Sequence, residues 1–549
     1  MTAAGSLDGQ AYVQRADAAR RVFLTQLRDA EALQQQVLRE CVRDNASSEF
    51  GRAHGFAHLG SEREFQAAVP IRKYDALAPW IDRAVAGEPG VLTAAEPAVF
   101  LTSSGSTATA KVLPLTRPYV ERVFLPFFFT ALGNTLRYCP ASIAHPDATL
   151  NLKWDPLRAQ GATERGVPKL GASQLDFARQ FGQGLAAEPG ARASSAQIPA
   201  QISDELERLY YRLRIAAEHD VRALIGINPA MVMAVPALLD RSWDRLLQEL
   251  HDGTVLGERT RTPQPARARL LQELAAHHGH RLPALLWPNL EVVFCWTGGA
   301  TKIYSGELSR AYGGKVQLLP APLAASEAPV AVAIDRHPTA GVLFIPGAYY
   351  ELADADQELG PATRTRRWNE VQVGQELHVI VSHLGGFYRY AMGDVVRVVD
   401  FVHGVPRVEY ACRDRRLLPE DVGLREATLV EATLHALRAG GLAARGVIAT
   451  ALPGAPARLA VAVELATATP IEDEDAALAE QLDHALGQGC PAYRRARQQG
   501  ALAPPLVRWM ARGALAADWQ ARVTAGVRPT QVKDRIFVDA ETFERLSAG

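Results

Sequence analysis

Five short segments carry residue types suited to chemistry on a polyanion. The densest is Thr102-Ser103-Ser104-Gly105-Ser106-Thr107-Ala108-Thr109-Ala110-Lys111. Small side chains let a backbone approach phosphate oxygens, hydroxyls and amides donate to them, and a lysine supplies charge. The pattern is not a Walker loop, because G-x-x-x-x-G-K-[ST] is absent; taken alone, a solvated Ser/Thr turn reads the same. Leu323-Ala324-Ala325-Ser326-Glu327 follows a strand pattern at residues 315–319. A carboxylate at the carboxyl end of a sheet strand lies where α/β proteins bind ligands. It also suits Mg²⁺, which takes one or two carboxylates plus phosphates. An exposed acid or a helix cap is the plainer alternative. In the segment from Gly385 to Val396, Gly393 permits a tight turn and Asp394 can accept from two vicinal hydroxyls, whereas an ordinary Gly-Asp hairpin turn needs no ligand. Arg413 begins Arg413-Asp414-Arg415-Arg416, a hinge cation or a solvated charge run. Lys533, in Thr530-Gln531-Val532-Lys533-Asp534-Arg535, is a functional point charge or a surface lysine near the terminus.

The background against which these stand is informative. Only seven of the 59 Lys and Arg residues are lysines. A lysine among so many arginines raises the question of what a compact charge on a flexible stem does better. The formal charge of −1 excludes a generally basic surface, so nucleic-acid binding is not expected. Five cysteines, Cys41, Cys139, Cys295, Cys412 and Cys490, are widely spaced with no C-x-x-C, which fits buried thiols in a reducing compartment. No charged start precedes an apolar stretch at the N-terminus, and no run approaches the ~18–20 apolar residues of a membrane span. A cytoplasmic protein without membrane partners is expected. Gly-x-Ser-x-Gly, His-Glu-x-x-His and Gly-x-Gly-x-x-Gly are missing. His277, His278 and His280 sit in a polar connection and are expected to be solvated.

The elements that must position these residues divide into two grammars. With 549 residues, two or three cores are expected. Apolar spacing predicts one long helix over residues 11–45, a helix around 77–85 and another over 202–217. Residues 221–227 read as a buried strand. Asn228 and Pro229 then cap and start a helix that ends near Asp252-Gly253. Strands at 291–296 and 315–319 flank a further helical pattern, and this alternation argues for a parallel sheet in an α/β layer. From about Gly341, closely spaced strands with Gly-rich turns predict an antiparallel meander. After Arg413 the order is helix (428–439), strand (447–452), strand (459–465), helix (473–486), strand, helix, a small α+β unit. The boundary falls near residues 412–416, giving domains 1–412 and 413–549.

In that order the motifs resemble the adenylate-forming superfamily, and more closely the acyl-acid amido synthetases, the auxin-responsive family of plants with bacterial relatives. Residues Ser103 to Thr116 look like that family's first motif, Leu323 to Glu327 its second and Phe387 to Val396 its third. Val69-Pro-Ile-Arg-Lys-Tyr-Asp75, Leu286-Trp-Pro-Asn-Leu290, Tyr349-Tyr-Glu-Leu352 and Tyr493-x-x-x-Arg497 extend the likeness over roughly residues 60 to 540. The chain departs from the pattern at Ala108-Thr109-Ala110, where a second glycine is usual, at Leu323, where an aromatic usually flanks adenine, and at Ala391.

The resemblance implies a large N-terminal adenylate-forming domain with parallel or mixed sheets and an antiparallel subdomain, plus a small mobile C-terminal α+β domain. It implies a ligase that uses Mg-ATP to convert a small carboxylic acid to an acyl-adenylate, then passes the acyl group to an amine or amino acid. By the same resemblance, Ser103, Ser104, Gly105, Ser106, Thr107 and Lys111 handle the β/γ-phosphates. Glu327 binds Mg²⁺, Asp394 the ribose hydroxyls, and Gly298, Gly299, Ala325 and Ser326 the nucleotide. Arg413 sits at the hinge, and Lys533 bridges carboxylate and α-phosphate after a domain swing. An acyl-CoA ligase with the same first step is the nearest alternative, and a catalytically silent acyl- or nucleotide-binding relative the third. The acid, the amine and the oligomeric state are not readable.

Overall fold

The computed structural model describes residues 9–103, 111–158, 160–182, 194–313, 315–419, 421–466 and 474–548. It is a mixed α/β structure built on four main sheets. A parallel sheet runs in the order Gln317–Pro320, Val292–Cys295, Ala223–Ile227, Thr149–Asn151. Its strands are short and almost wholly apolar, as expected where both faces are covered by helices. A mixed sheet pairs Lys111–Thr116 with Pro97–Ser103, which runs parallel to Pro168–Gly171. The third sheet is antiparallel and eight-stranded, with Phe387–Val402 at its centre between Glu376–His383 and Val405–Arg413. The last pairs Ala444–Leu452 with Arg458–Leu465, and the latter with Leu506–Trp509 in parallel.

Three principal cores result. One joins the N-terminal helices to the antiparallel sheet through Phe23, Phe50, Leu77, Tyr350 and Tyr388. The second lies around the parallel sheet and includes Val232, Trp243, Trp287 and Val293. The third, from Val422 to Ile536, is the C-terminal unit, with Leu429, Val461 and Tyr493 inside it.

Several expectations are corrected. The helix expected over 11–45 is two, Gly9–Gln26 and Ala30–Asp44, separated by a 3₁₀ turn at Leu27–Asp29. The helix begun by Asn228, whose side chain accepts from Ala230 N, stops at Arg241; Trp243–Asp252 is a second helix, closed by left-handed Gly253. The three strands read at residues 377–381, 387–390 and 395–399 are two long ones, and Gly393-Asp394 is no hairpin turn but lies within Phe387–Val402. Glu327 does not follow the parallel strand directly. It occupies the turn between the antiparallel pair Leu323–Ala324 and Pro329–Val332, closed by Ala325 N donating to Ala328 O.

The C-terminal segment is docked on the parallel-sheet region. Trp519, Val523 and Val532 join that region's core, and Asn228 Nδ2 donates to Val532 O at 2.6 Å. Arg445 pairs with Glu307 and Arg241 bonds Gln520. Among the described residues no helix is long and apolar enough to cross a membrane.

Candidate active site

Five segments deliver charged side chains to one region. Lys111 opens its strand and stands in register with Ser103 on the neighbouring one. The intervening residues 104–110 lie outside the described residues, and with them the expectations for Ser104, Gly105, Ser106 and Thr107. Lys111 Nζ donates to Glu327 Oε1 at 2.9 Å and to the Tyr390 hydroxyl at 3.0 Å, and Tyr390 donates to the same carboxylate oxygen at 3.2 Å. Burial and the Glu327 charge push the Tyr390 phenol upward, so it remains a donor. The Glu327 backbone is fixed as well. His383 Nε2 lies 3.0 Å from Glu327 O, and Gly385 N donates to Nδ1 at 3.0 Å, which makes Nε2 the protonated nitrogen. Burial lowers this imidazole to about 4, so it stays neutral.

Asp394 faces Arg413 across the register of their two strands. Arg413 Nε lies 3.1 Å from Asp394 Oδ1, yet that buried oxygen receives no hydrogen bond among the described residues. Burial raises the Asp394 carboxyl despite the ion pair, while the Asp394 charge raises the guanidinium. An acceptor of this kind costs free energy unless something donates to it.

Lys533, exposed at the surface, lies beside this cluster within electrostatic reach of Arg413, Asp394, Glu327 and Lys111. Its ammonium sits 5.2 Å from the Trp296 ring centroid, a cation–π contact. Desolvation lowers its pKa, with Arg413 acting in the same direction and Asp394 and Glu327 opposing. Among the described residues no carboxylate pairs with it directly. Val532 is anchored by Asn228 and the neighbouring core, which holds Lys533 beside the cluster in this arrangement.

Gly298 and Gly299 serve the approach of two segments. A Cβ at Gly298 would lie 2.9 Å from Tyr410 O, and one at Gly299, where φ is +60°, 2.5 Å from Ala411 O. They set the Trp296 strand end against the strand carrying Arg413. Ala325 and Ser326 are half-buried in the turn that presents Glu327. The sequence reading missed Tyr390, Trp296 and His383 as site residues. The first lay within a quoted motif and the second one residue from Thr297-Gly298-Gly299; nothing in the sequence marked His383. The three histidines at 277–280 are exposed and join no metal-type cluster among the described residues.

Comparisons with known proteins agree with this geometry. Residues 19–318 match the GH3 family N-terminal domain, 341–413 its central domain and 430–542 its C-terminal domain. A probable indole-3-acetic acid-amido synthetase of Oryza sativa subsp. japonica is 26% identical over 441 residues, covering 72% of this chain and 71% of the relative. A jasmonoyl-L-amino acid synthetase of the same organism is 24% identical over 425 residues, covering 70% and 71%. The structure of an acyl acid amido synthetase in complex with 2,4-DB superposes with a TM-score of 0.80 at 19% identity over 96% of both chains. A 2-hydroxyisobutyryl-CoA ligase in the postadenylation state shares the fold at a TM-score of 0.52 and 13% identity, covering 96% of this chain and 91% of that one. With three family domains matched in order across most of its length, this chain belongs to the GH3 family.

Proposed function

We propose that the chain is an ATP-dependent ligase that activates a small carboxylic acid as its acyl-adenylate and transfers the acyl group to an amine or amino acid. The observation that carries this reading is the gathering of Lys111, Arg413 and Lys533 around Glu327 and Asp394, with Lys533 solvent-accessible and held by no carboxylate among the described residues, and one buried Asp394 oxygen without a donor. An accessible cation and a buried acceptor without partners fit a ligand that brings both anionic phosphates and hydroxyl donors.

In the first step a carboxylate oxygen attacks the α-phosphorus, the bond from that phosphorus to the bridging oxygen breaks, and diphosphate leaves. Lys533 holds charge at the α-phosphate where it builds up in the transition state. Ser103 and Lys111, with the loop between them, take the β- and γ-phosphates. Asp394 accepts from the ribose hydroxyls, while Arg413 opposes the effect of burial on its charge. Gly298, Gly299, Ala325 and Ser326 form the backbone walls beside the nucleotide. In the second step the amine nitrogen attacks the acyl carbon, the bond to the adenylate oxygen breaks, and AMP departs as the amide forms.

Glu327 would hold Mg²⁺. Among the described residues no group of three or more metal-ligand side chains exists, so one carboxylate plus phosphate oxygens and water must complete the shell, which is how Mg²⁺ is usually held. Lys111 now occupies Glu327 Oε1 and would move to the phosphates. The metal would supply charge neutralisation on the leaving diphosphate. Domains 1–412 and 413–549, and a cytoplasmic location matching five free cysteines, complete the reading.

An AMP-release screen of carboxylic acids crossed with amino acids tests it. Acid- and amine-dependent AMP release supports the reading. Release that requires coenzyme A in place of an amine assigns the acyl-CoA ligase alternative, and no release with any pair points to a silent binding protein.

A further inference from the structure

A second charged cavity lies beside the phosphate-loop strand and is used by none of the roles above. It measures about 40 Å³ and is lined by Asp155, Arg158, Glu205, Arg208, Arg212 and Arg528, among others. That exceeds the ~10–15 Å³ a single water requires, and the polar lining suits a small anion. The sheet register explains its position. Thr102 pairs with Gly171 on the parallel strand, so Ser103 lies close to the turn Ala172–Gln174, whose Ser173 lines the cavity. Gly171 also makes room for Arg528, whose guanidinium nitrogen would lie 2.6 Å from a Cβ there.

The charges in the cavity do not balance. Asp155 takes Arg208 in a bidentate pair at 2.6 and 2.8 Å, and Glu205 takes Arg158. Two guanidinium groups are left over. Arg212 is only 3% exposed and, among the described residues, makes one hydrogen bond, to Asn151 O at 2.7 Å. Arg528 reaches Gln174 Oε1 at a marginal 3.5 Å. Burial lowers both, Arg212 to about 10, and Arg158 adds to the effect on Arg528. One buried and one half-buried cation that share already committed carboxylates cost free energy unless an anion joins them.

We propose that this arginine cavity is a diphosphate site, which receives the leaving group of the adenylation step beside the phosphate loop. The inference rests on the adenylation reading for the origin of the diphosphate. One wall, residues 528–530, comes from the C-terminal segment that also carries Lys533. The cavity is therefore complete only while Lys533 is docked, and undocking of that segment opens it.

Titration of the full chain with Mg-pyrophosphate in the absence of ATP tests the proposal directly. Arg528→Gln and Arg212→Gln should each weaken binding about tenfold, the size of one lost charge-assisted hydrogen bond, and Arg528→Lys should recover part of it. Arg528 is half-buried and can be exchanged at little risk to folding, so it decides the matter if Arg212→Gln melts early. In initial-rate assays both variants should raise the pyrophosphate inhibition constant by a similar factor while the KM for ATP shifts less than about twofold. Unchanged pyrophosphate affinity in Arg528→Gln overturns the proposal. So does a loss confined to the KM of the amine acceptor, which would make the cavity a carboxylate site. Wild-type protein that binds pyrophosphate through these arginines yet shows no acid-dependent exchange of pyrophosphate into ATP would leave the cavity standing and remove the adenylation reading.

Discussion

Two of the arginine–carboxylate pairings on the strand Phe387–Val402, Arg389 with Glu351 and Asp394 with Arg413, are built to opposite ends. Arg389 and Glu351 are 4% and 1% exposed, and every part of the guanidinium is used. It meets both Glu351 oxygens at 2.9–3.2 Å and donates to the carbonyls of Gln66 and Val69 at 2.9 Å. Arg389 adopts a φ of +48°, and its carbonyl accepts from Arg72 N at 3.1 Å, which ties the N-terminal segment to the sheet. Five residues further on, Asp394 is nearly as buried, at 7%, but keeps an oxygen with no donor. A buried network that is fully satisfied rigidifies a fold; one left short of a partner is held ready for a ligand. The first pair is a clamp and the second is the one proposed to take the nucleotide, although the motif holding them reads as one unit.

The largest expected effect breaks the clamp. Glu351→Ala leaves Arg389 buried without its partner and should cost about 3–5 kcal/mol of stability, measured by urea unfolding, with the activity per folded molecule largely kept. Asp394→Asn probes the other pair. It should leave the unfolding midpoint near wild type, because burial already opposes the charge on Asp394, yet raise the KM for ATP by about tenfold or more. Equal destabilisation by the two substitutions would erase the distinction. Lys111→Ala should weaken ATP use by ~1.5–3 kcal/mol with the fold intact; wild-type rates at subsaturating ATP would remove the phosphate assignment. The smallest effect concerns His383. The folded imidazole titrates near 4 and the unfolded one near 6.5. Between those values the unfolded chain binds a proton that the native state refuses, so stability falls as pH falls. Moving from pH 7 to pH 5 should cost about 2 kcal/mol through this group, and His383→Gln should flatten that dependence in urea melts.

Much of this architecture was legible in the sequence, and the losses have identifiable causes. Strand–helix alternation around residues 221–319 and the dense strands after Gly341 predicted the two sheet types. The breaks at Leu27–Asp29 and Ser242 were hidden because Leu27 and Trp243, at 1% and 2% exposed, keep the apolar rhythm running through them. Gly393-Asp394 looked like a hairpin turn because glycine before aspartate has that local preference. The pairing of Asp394 with Arg413, nineteen positions later on the adjacent strand, decides otherwise. Glu327, Asp394, Lys111 and Lys533 were singled out through the order of their motifs and the family resemblance, and the structure brings them to one region. Tyr390, Trp296 and His383 were not, since an aromatic ring or an imidazole in an apolar strand gives no local sign of what it will face.

The central claim is that Lys533 serves the adenylation step from its present position among Arg413, Asp394 and Trp296. It is tested most directly by separating the two half-reactions in Lys533→Ala. Loss of a preorganised charge at the reacting phosphorus should cut acid-dependent pyrophosphate exchange by about 10²–10³, with little change in ATP affinity. Amide formation from a supplied acyl-adenylate and amine should continue near the wild-type rate. Equal loss in both half-reactions would make Lys533 a structural residue, and no loss in either would make it a tail lysine; each result contradicts the account.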